Sequence, residues 1–154
     1  MVAVRATMFH LNSPMPAAAT PWFELPHAPA PGTVVGTLAD FADGAATMAE
    51  LVSAAGSPPF KMLVLRQGDQ VHAFANRCSH FGVPLAARQA QLIYTPLKSL
   101  TCNVHYARYA WRTGACEAGE CDGEALSPVP LVLDAHGALR VGCAPDAAAF
   151  KTTP

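Results

Sequence analysis

Residues 76–85 read NRCSHFGVPL and residues 102–109 read CNVHYARY, and these two short stretches decide how the fold is interpreted. Each places one Cys close to one His, Cys78 with His80 and Cys102 with His105. Thiolate sulfur and imidazole nitrogen are the usual protein ligands of zinc and of iron–sulfur centres. Because two Cys and two His complete a four-ligand set, we predict one metal centre built jointly by both stretches.

The composition around these stretches is that of one small domain. The chain has 154 residues, 51% hydrophobic and 14% charged, so we treat residues 1–154 as a single domain. Its 14 Pro and 11 Gly interrupt helices and mark tight turns, which favours short strands. The net charge of -1 excludes the basic field that would bind a nucleic acid.

The sequence contains no apparent membrane or export segment. No run approaches the roughly 18 apolar residues needed to cross a bilayer, and residues 1–20 lack the apolar core of a signal peptide. We therefore expect a cytoplasmic protein without a membrane partner. Thiols stay reduced in that compartment, so we expect Cys116 and Cys121 to be free rather than disulfide-bonded.

The apolar pattern predicts mostly strands, with one helix. Two hairpins are expected, residues 60–66 with 71–75 around Gly68, and residues 129–133 with 138–141. Residues 33–38 (TVVGTL) predict another strand, and the Ala- and Pro-rich residues 1–31 an extended arm. A short helix is predicted between Asp43 and Gly56 because apolar side chains recur there at helical spacing, namely Met48, Leu51, Val52 and Ala55.

The ligand spacing bears on which metal centre is present. Two Cys and two His suit either tetrahedral zinc or a [2Fe–2S] centre with two His on one iron. Zinc fingers and ribbons mostly take a ligand pair from a Cys-x2-Cys knuckle, whereas here each stretch supplies one sulfur and one nitrogen. This spacing favours the iron–sulfur centre, and a zinc-stabilised interaction module without redox activity is the alternative.

The two stretches resemble the Rieske family over roughly residues 60–143, including Gly82, Pro84 and Leu85 after the first pair and Thr113-Gly114 after the second. The resemblance implies an all-β fold, an antiparallel β-sandwich base with a small inserted cluster-binding subdomain at residues 76–128. It implies one [2Fe–2S] cluster per chain. The cluster ligands would be Cys78 and Cys102 on one iron, and His80 and His105 on the other.

The same resemblance places two further residues beside the cluster. Tyr109 is positioned to donate its hydroxyl to the Cys78 sulfur, with aromatic packing as its alternative role. Pro128, in residues 123–130 (GEALSPVP), resembles the family's proline loop, which shields the cluster from water. The second stretch also departs from the family, since Tyr106 replaces a common Gly and Asn103 a common Pro.

The residues near the ligands also bear on the reduction potential. High-potential family members carry a disulfide between the two loops and a Ser after the second His, whereas this chain has Val83, Val104 and Ala107 at those places. Hydrogen bonds to sulfur stabilise the added electron. We therefore predict a potential in the lower half of the Rieske range of about -150 to +300 mV.

The resemblance implies an electron carrier rather than an enzyme. The remaining histidines show no spacing of a 2-His-1-carboxylate iron site, and no dinucleotide or phosphate loop is present. We predict a one-electron ferredoxin component that passes electrons from a flavin-dependent reductase to the terminal oxygenase of a multicomponent system. The alternative carrier is the small subunit of an assimilatory nitrite reductase.

The residues around the ligands predict how a redox partner docks. Residues 70–116 contain five basic and no acidic side chains, which favours an acidic docking face on the partner: Arg77, Arg88, Lys98, Arg108 and Arg112. Phe81 and Tyr106 each adjoin a predicted His ligand. We expect them to form an apolar rim of the contact, with core packing as the alternative.

Overall fold

The computed structural model describes residues 19–52, 55–79 and 82–143. Within these residues the chain forms ten strands and three short 3-10 segments, the latter at Trp22–Glu24, Leu38–Asp40 and Gln89–Gln91. The strands are β1 Val34–Thr37, β2 Ala46–Leu51, β3 Phe60–Gln67, β4 Gln70–Ala75, β5 Ile93–Thr95, β6 Ser99–Thr101, β7 Arg108–Ala110, β8 Cys116–Ala118, β9 Leu131–Leu133 and β10 Ala138–Val141.

The strands form three antiparallel sheets. The base sheet has the order β1-β10-β9, the central sheet β2-β3-β4, and the site sheet β5-β6-β7-β8. The all-β class is therefore confirmed. No helix in the part of the chain that the structure describes is long and apolar enough to cross a bilayer.

The central sheet separates two apolar clusters because its residues alternate between its faces. On β3, Met62 and Val64 belong to the cluster that includes the base sheet, whereas Leu63 and Leu65 belong to the cluster under the site sheet. All four side chains are completely buried. The central sheet therefore supports the site sheet from one face and is itself supported from the other.

The helix predicted between Asp43 and Gly56 is wrong. Residues 46–51 form β2, which pairs with β3 from Ala46 opposite Leu65 to Leu51 opposite Phe60. Because both faces of β2 contact apolar clusters, its sequence lacks the strict alternation of a half-exposed strand and imitates helical spacing. An isolated helix of this length is also marginal in water, whereas β3 supplies hydrogen-bond partners along one edge of β2 from Ala46 to Leu51.

Both predicted hairpins are confirmed. β3 and β4 are joined at Gly68-Asp69, with Gln67 opposite Gln70, and β9 pairs with β10. The strand predicted over residues 33–38 is β1, which pairs with β10. Of the predicted arm, residues 1–18 lie outside the described residues, and Trp22 packs into the base cluster.

Candidate metal centre

Two six-residue loops carry the predicted ligands, and their backbones are hydrogen-bonded in the same way. The first follows β4 and runs from Cys78 to Val83, where the Cys78 amide donates to the Val83 carbonyl oxygen at 2.6 Å. The second joins β6 to β7, where the Cys102 amide donates to the Ala107 carbonyl oxygen at 2.8 Å. Each loop is thus closed by its own Cys.

Hydrogen bonds also hold the second loop against the segment that follows the first loop. The Asn103 amide, in the second loop, donates to the Leu85 carbonyl oxygen at 2.7 Å. The buried Asn76 side chain accepts from the Leu85 amide at 2.9 Å and donates to the Ala86 carbonyl oxygen at 2.8 Å. Residues 85 and 86 therefore hold Asn76, which precedes the first loop, and Leu85 also contacts the second loop.

The predicted ligands differ in exposure. Cys78 and Cys102 are both 0% exposed and neither is disulfide-bonded, whereas His105 is exposed. His80 lies outside the described residues, and within those residues no three His, Cys, Asp or Glu side chains are grouped around one point. Two buried Cys side chains and an exposed imidazole fit the mixed sulfur and nitrogen ligand set of a [2Fe–2S] cluster with two His on one iron.

Tyr109 lies beside the first loop, completely buried. Its hydroxyl oxygen is 3.3 Å from the Cys78 sulfur and 3.0 Å from the Ser79 hydroxyl, and it accepts from the Ser79 amide at 3.3 Å. Burial, followed by the hydrogen bond with Cys78, raises the pKa of Tyr109 to about 12. The hydroxyl therefore keeps its proton at neutral pH and can donate it.

Sequence reasoning missed Ser79 and Glu124 as parts of this site. The Ser79 hydroxyl donates to a Glu124 carboxylate oxygen at 3.2 Å, across 45 positions of sequence. The only sequence signal for Glu124 is its place in the acidic segment at residues 117–124, which contains Glu117, Glu120, Asp122 and Glu124. That signal did not identify a partner.

Pro128 lies next to the central sheet. It forms an isolated bridge with Phe74, between the hydrogen bond from the Ala75 amide to the Ser127 carbonyl oxygen and that from the Val129 amide to the Ala73 carbonyl oxygen. Pro128 is half-buried, and its shielding role stays a prediction.

The expectation of free thiols at Cys116 and Cys121 is wrong. The two residues form a disulfide, with their α-carbons 5.6 Å apart. The turn between them contains Gly119 at φ +103°, where a Cβ would come within 2.9 Å of the Ala107 α-carbon. The prediction of free thiols rested on the compartment alone and did not consider that a short turn places the two Cys within bonding distance. Cys143 is free and exposed.

The structure gives the exposure of most residues that were predicted to take part in docking. All five basic side chains of residues 70–116 are exposed. The pairing of β7 with β8, however, places Glu117 3.3 Å from Arg108 in an ion pair, so the surface is less uniformly basic than the sequence suggested. Tyr106 is 66% and Val104 54% exposed, on either side of His105. Phe81 lies outside the described residues.

The fold and the two Cys/His loops define a small iron–sulfur domain of the electron-transfer class. Residues 33–133 match the family described as Rieske [2Fe-2S] domain. The chain belongs to this family and its cofactor is a [2Fe–2S] cluster, as the resemblance implied. No curated protein is significantly similar to it in sequence.

Solved structures show the same fold. The ferredoxin of carbazole 1,9a-dioxygenase from Nocardioides aromaticivorans IC177 is 25% identical, with a TM-score of 0.53 over 74% of this chain and 98% of that one. A Sphingomonas yanoikuyae B1 ferredoxin is 17% identical, with a TM-score of 0.53 over 72% and 97%.

An oxygenase chain is also similar over part of its length. The terminal oxygenase of carbazole 1,9a-dioxygenase from Novosphingobium sp. KA1 is 22% identical, with a TM-score of 0.54 over 75% of this chain but 31% of that one. The family and the ferredoxin likeness together establish the coarse function. The chain is a Rieske electron-transfer component.

Proposed function

We propose that the chain is the ferredoxin component of a multicomponent oxygenase, taking single electrons from a flavin-dependent reductase and delivering them to a terminal oxygenase. The observation that carries this proposal is the similarity to the ferredoxin of a carbazole dioxygenase over nearly the whole length of that protein.

The ligands in this proposal are Cys78 and Cys102 on one iron, and His80 and His105 on the other. The burial of both thiols and the exposure of His105 support this assignment. When bound, the cluster supplies one-electron oxidation and reduction. Residues 76–128 form the proposed cluster-binding subdomain. This subdomain keeps water from the Cys78 and Cys102 sulfurs and leaves the His105 imidazole at the surface.

The surface at His105 is the proposed docking site for both redox partners. Val104 and Tyr106 expose apolar area beside it, and such area stabilises a complex when the partner excludes water. Arg77 lies next to the first loop, since a Cβ on Gly82 would be 3.0 Å from its guanidinium. A positive charge here attracts an acidic partner face, and the attraction weakens as salt is added.

The ligand assignment is tested by Cys78→Ser, Cys102→Ser and His105→Ala, with Cys143→Ser as the matched control at an exposed thiol. We expect the first three variants to lose the red-brown colour and the two iron and two sulfide per chain, and the control to keep them. Electron paramagnetic resonance of the reduced wild type should show coupling to two nitrogens. A colourless wild type with one zinc per chain, or a Cys78→Ser variant with its cluster intact, contradicts the assignment.

The carrier role is tested by electron transfer from a flavin-dependent reductase and to a terminal oxygenase, each followed by stopped-flow absorbance. Rates should fall as ionic strength rises, and Arg77→Gln should reduce both the rate and its salt dependence. Arg140→Gln, in the base sheet, is the matched control. Transfer to a nitrite reductase instead of the oxygenase would replace this proposal with the alternative.

A further inference from the structure

Two hydroxyl side chains, those of Ser79 and Tyr109, connect the Glu124 carboxylate to the Cys78 sulfur. The Glu124 carboxylate is 3.2 Å from the Ser79 hydroxyl, the Ser79 hydroxyl is 3.0 Å from the Tyr109 hydroxyl, and the Tyr109 hydroxyl is 3.3 Å from the sulfur. Because each hydroxyl has a single proton to donate, the direction of this chain is determined by how the protons are shared.

The Glu124 carboxylate determines the direction in which the protons are donated along this chain. The Ser79 proton has two acceptors within reach, the Glu124 carboxylate and the Tyr109 oxygen, and a charged acceptor forms the stronger hydrogen bond. Once Ser79 donates to Glu124, its contact with Tyr109 is favourable only if Tyr109 is the donor. The single proton of Tyr109 is then divided between the Ser79 oxygen and the Cys78 sulfur.

We propose that Glu124 is a positioning residue that acts through Ser79 to draw the Tyr109 hydroxyl away from the Cys78 sulfur, and thereby lowers the reduction potential. A weaker hydrogen bond to the sulfur stabilises the added electron less. The inference rests on the proposed role of Cys78 as a cluster ligand. It identifies Ser79 and Glu124, which the family resemblance did not single out, as residues that tune the potential.

The backbone around Glu124 holds it in place for this role. The Glu124 amide donates to the Cys121 carbonyl oxygen at 2.8 Å, and its carbonyl oxygen accepts from the Cys116 amide at 2.9 Å. Cys116 and Cys121 are themselves joined by the disulfide. The Glu124 backbone is thus held against a covalently closed loop.

The sign of the change in midpoint potential in Ser79→Ala tests the direction in which the hydrogen bonds are donated. Ser79→Ala removes the competing acceptor without changing any charge, so the Tyr109 proton returns to the sulfur and the midpoint potential rises in a potentiometric titration. If Ser79 instead donates to Tyr109, the same substitution weakens the hydrogen bond to the sulfur and the potential falls. A fall, or no change, overturns the proposal. Ser79→Thr keeps a hydroxyl at this position and should therefore have the midpoint potential of the wild type.

A double-mutant cycle separates this chain from a simple charge effect. Glu124→Gln removes a negative charge and raises the potential through space with or without Tyr109. The proposal requires the rise to be at least about twofold larger in the wild type than in the Tyr109→Phe background. Equal shifts overturn it. Glu120→Gln, at an exposed carboxylate of the same segment, is the matched control for charge and should show the same small shift in both backgrounds.

Failure of the ligand assignment is recognised independently. Iron and sulfide content and the visible spectrum are measured for every variant, and we expect each substitution at residues 79, 109, 120 and 124 to retain a full cluster. Intact clusters with shifts of the wrong sign or equal size overturn the Glu124 role alone. A Cys78→Ser variant that keeps its cluster overturns the ligand assignment and the inference with it.

Discussion

Gly82 and Tyr106 occupy equivalent positions in the two ligand loops. Each is the fourth residue after its Cys, each donates its amide to that Cys carbonyl oxygen at 2.8 Å, and each has a left-handed backbone, with φ of +73° and +61°. Glycine adopts this conformation freely, whereas a side chain opposes it. The second loop therefore retains a strained residue whose ring is displayed beside His105.

Replacing Tyr106 should separate stability from docking. Tyr106→Gly relieves a left-handed strain of about 1 kcal/mol, which offsets the greater flexibility of glycine in the unfolded chain. We expect an unfolding free energy in urea that is unchanged or slightly higher, together with weaker binding to the oxygenase because exposed apolar area is lost. Val104→Gly, at a residue without a positive φ, is the control and should be destabilising. Equal destabilisation by both variants would contradict this account of the loop.

Two glycines near the site allow the cost of backbone strain to be separated from the cost of a steric clash. Gly114 and Gly123 have φ of +75° and +80°, but a Cβ on Gly114 would lie 2.7 Å from the Phe74 ring whereas one on Gly123 meets nothing within 4 Å. Gly123→Ala should cost about 1 kcal/mol of unfolding free energy from backbone strain alone. Gly114→Ala should cost about 1–3 kcal/mol more, because Phe74 must move. Equal losses of unfolding free energy in the two variants, measured in urea, would show that Phe74 moves aside at no energetic cost.

The disulfide should stabilise the acidic segment that holds Glu124. Closing a loop of this size contributes about 2 kcal/mol by restricting the unfolded chain. The double variant Cys116→Ser with Cys121→Ser should lose about that much unfolding free energy. Cys143→Ser, at an exposed free thiol, should lose none. The prediction fails if the double variant and this control unfold at the same urea concentration.

Asp134 makes the stability of the β9–β10 hairpin depend on pH. Its carboxylate accepts from Arg140 at 2.7 Å and from the His136 and Ala138 amides at 2.8 and 2.9 Å. The Arg140 hydrogen bond is the main cause that lowers the pKa of Asp134 to about 2, from an ordinary 3.8. Since the folded pKa lies below the unfolded one, the stabilisation is complete above pH 3.8 and is lost as the pH falls toward 2.

The measurement is the difference in unfolding free energy between the wild type and Asp134→Asn as a function of pH. Protonation of other carboxyl groups is common to both proteins and cancels in that difference. The advantage of the wild type should shrink across this acidic interval. A difference that stays constant would mean that Asp134 has the same pKa in the folded and unfolded chains.

From the amino-acid sequence, the family resemblance of the two Cys/His stretches predicted the [2Fe–2S] cofactor, and the turn residues predicted the local hairpins. The Cys and His residues lie within two or three positions of each other in each loop, and the hairpins β3–β4 and β9–β10 join neighbouring segments. Ligand spacing and turn residues act over such short distances, so their consequences can be predicted without knowing the rest of the fold.

The tertiary structure decided what depends on contacts between distant segments. β2 is a strand because β3 supplies its backbone partners and apolar clusters cover both its faces, which its own pattern does not reveal. The Ser79–Glu124 contact crosses 45 positions, and Gly119 packs against Ala107 from a different segment of the chain. Such contacts form only when the whole chain has folded, because their geometry is determined by packing rather than by neighbouring residues.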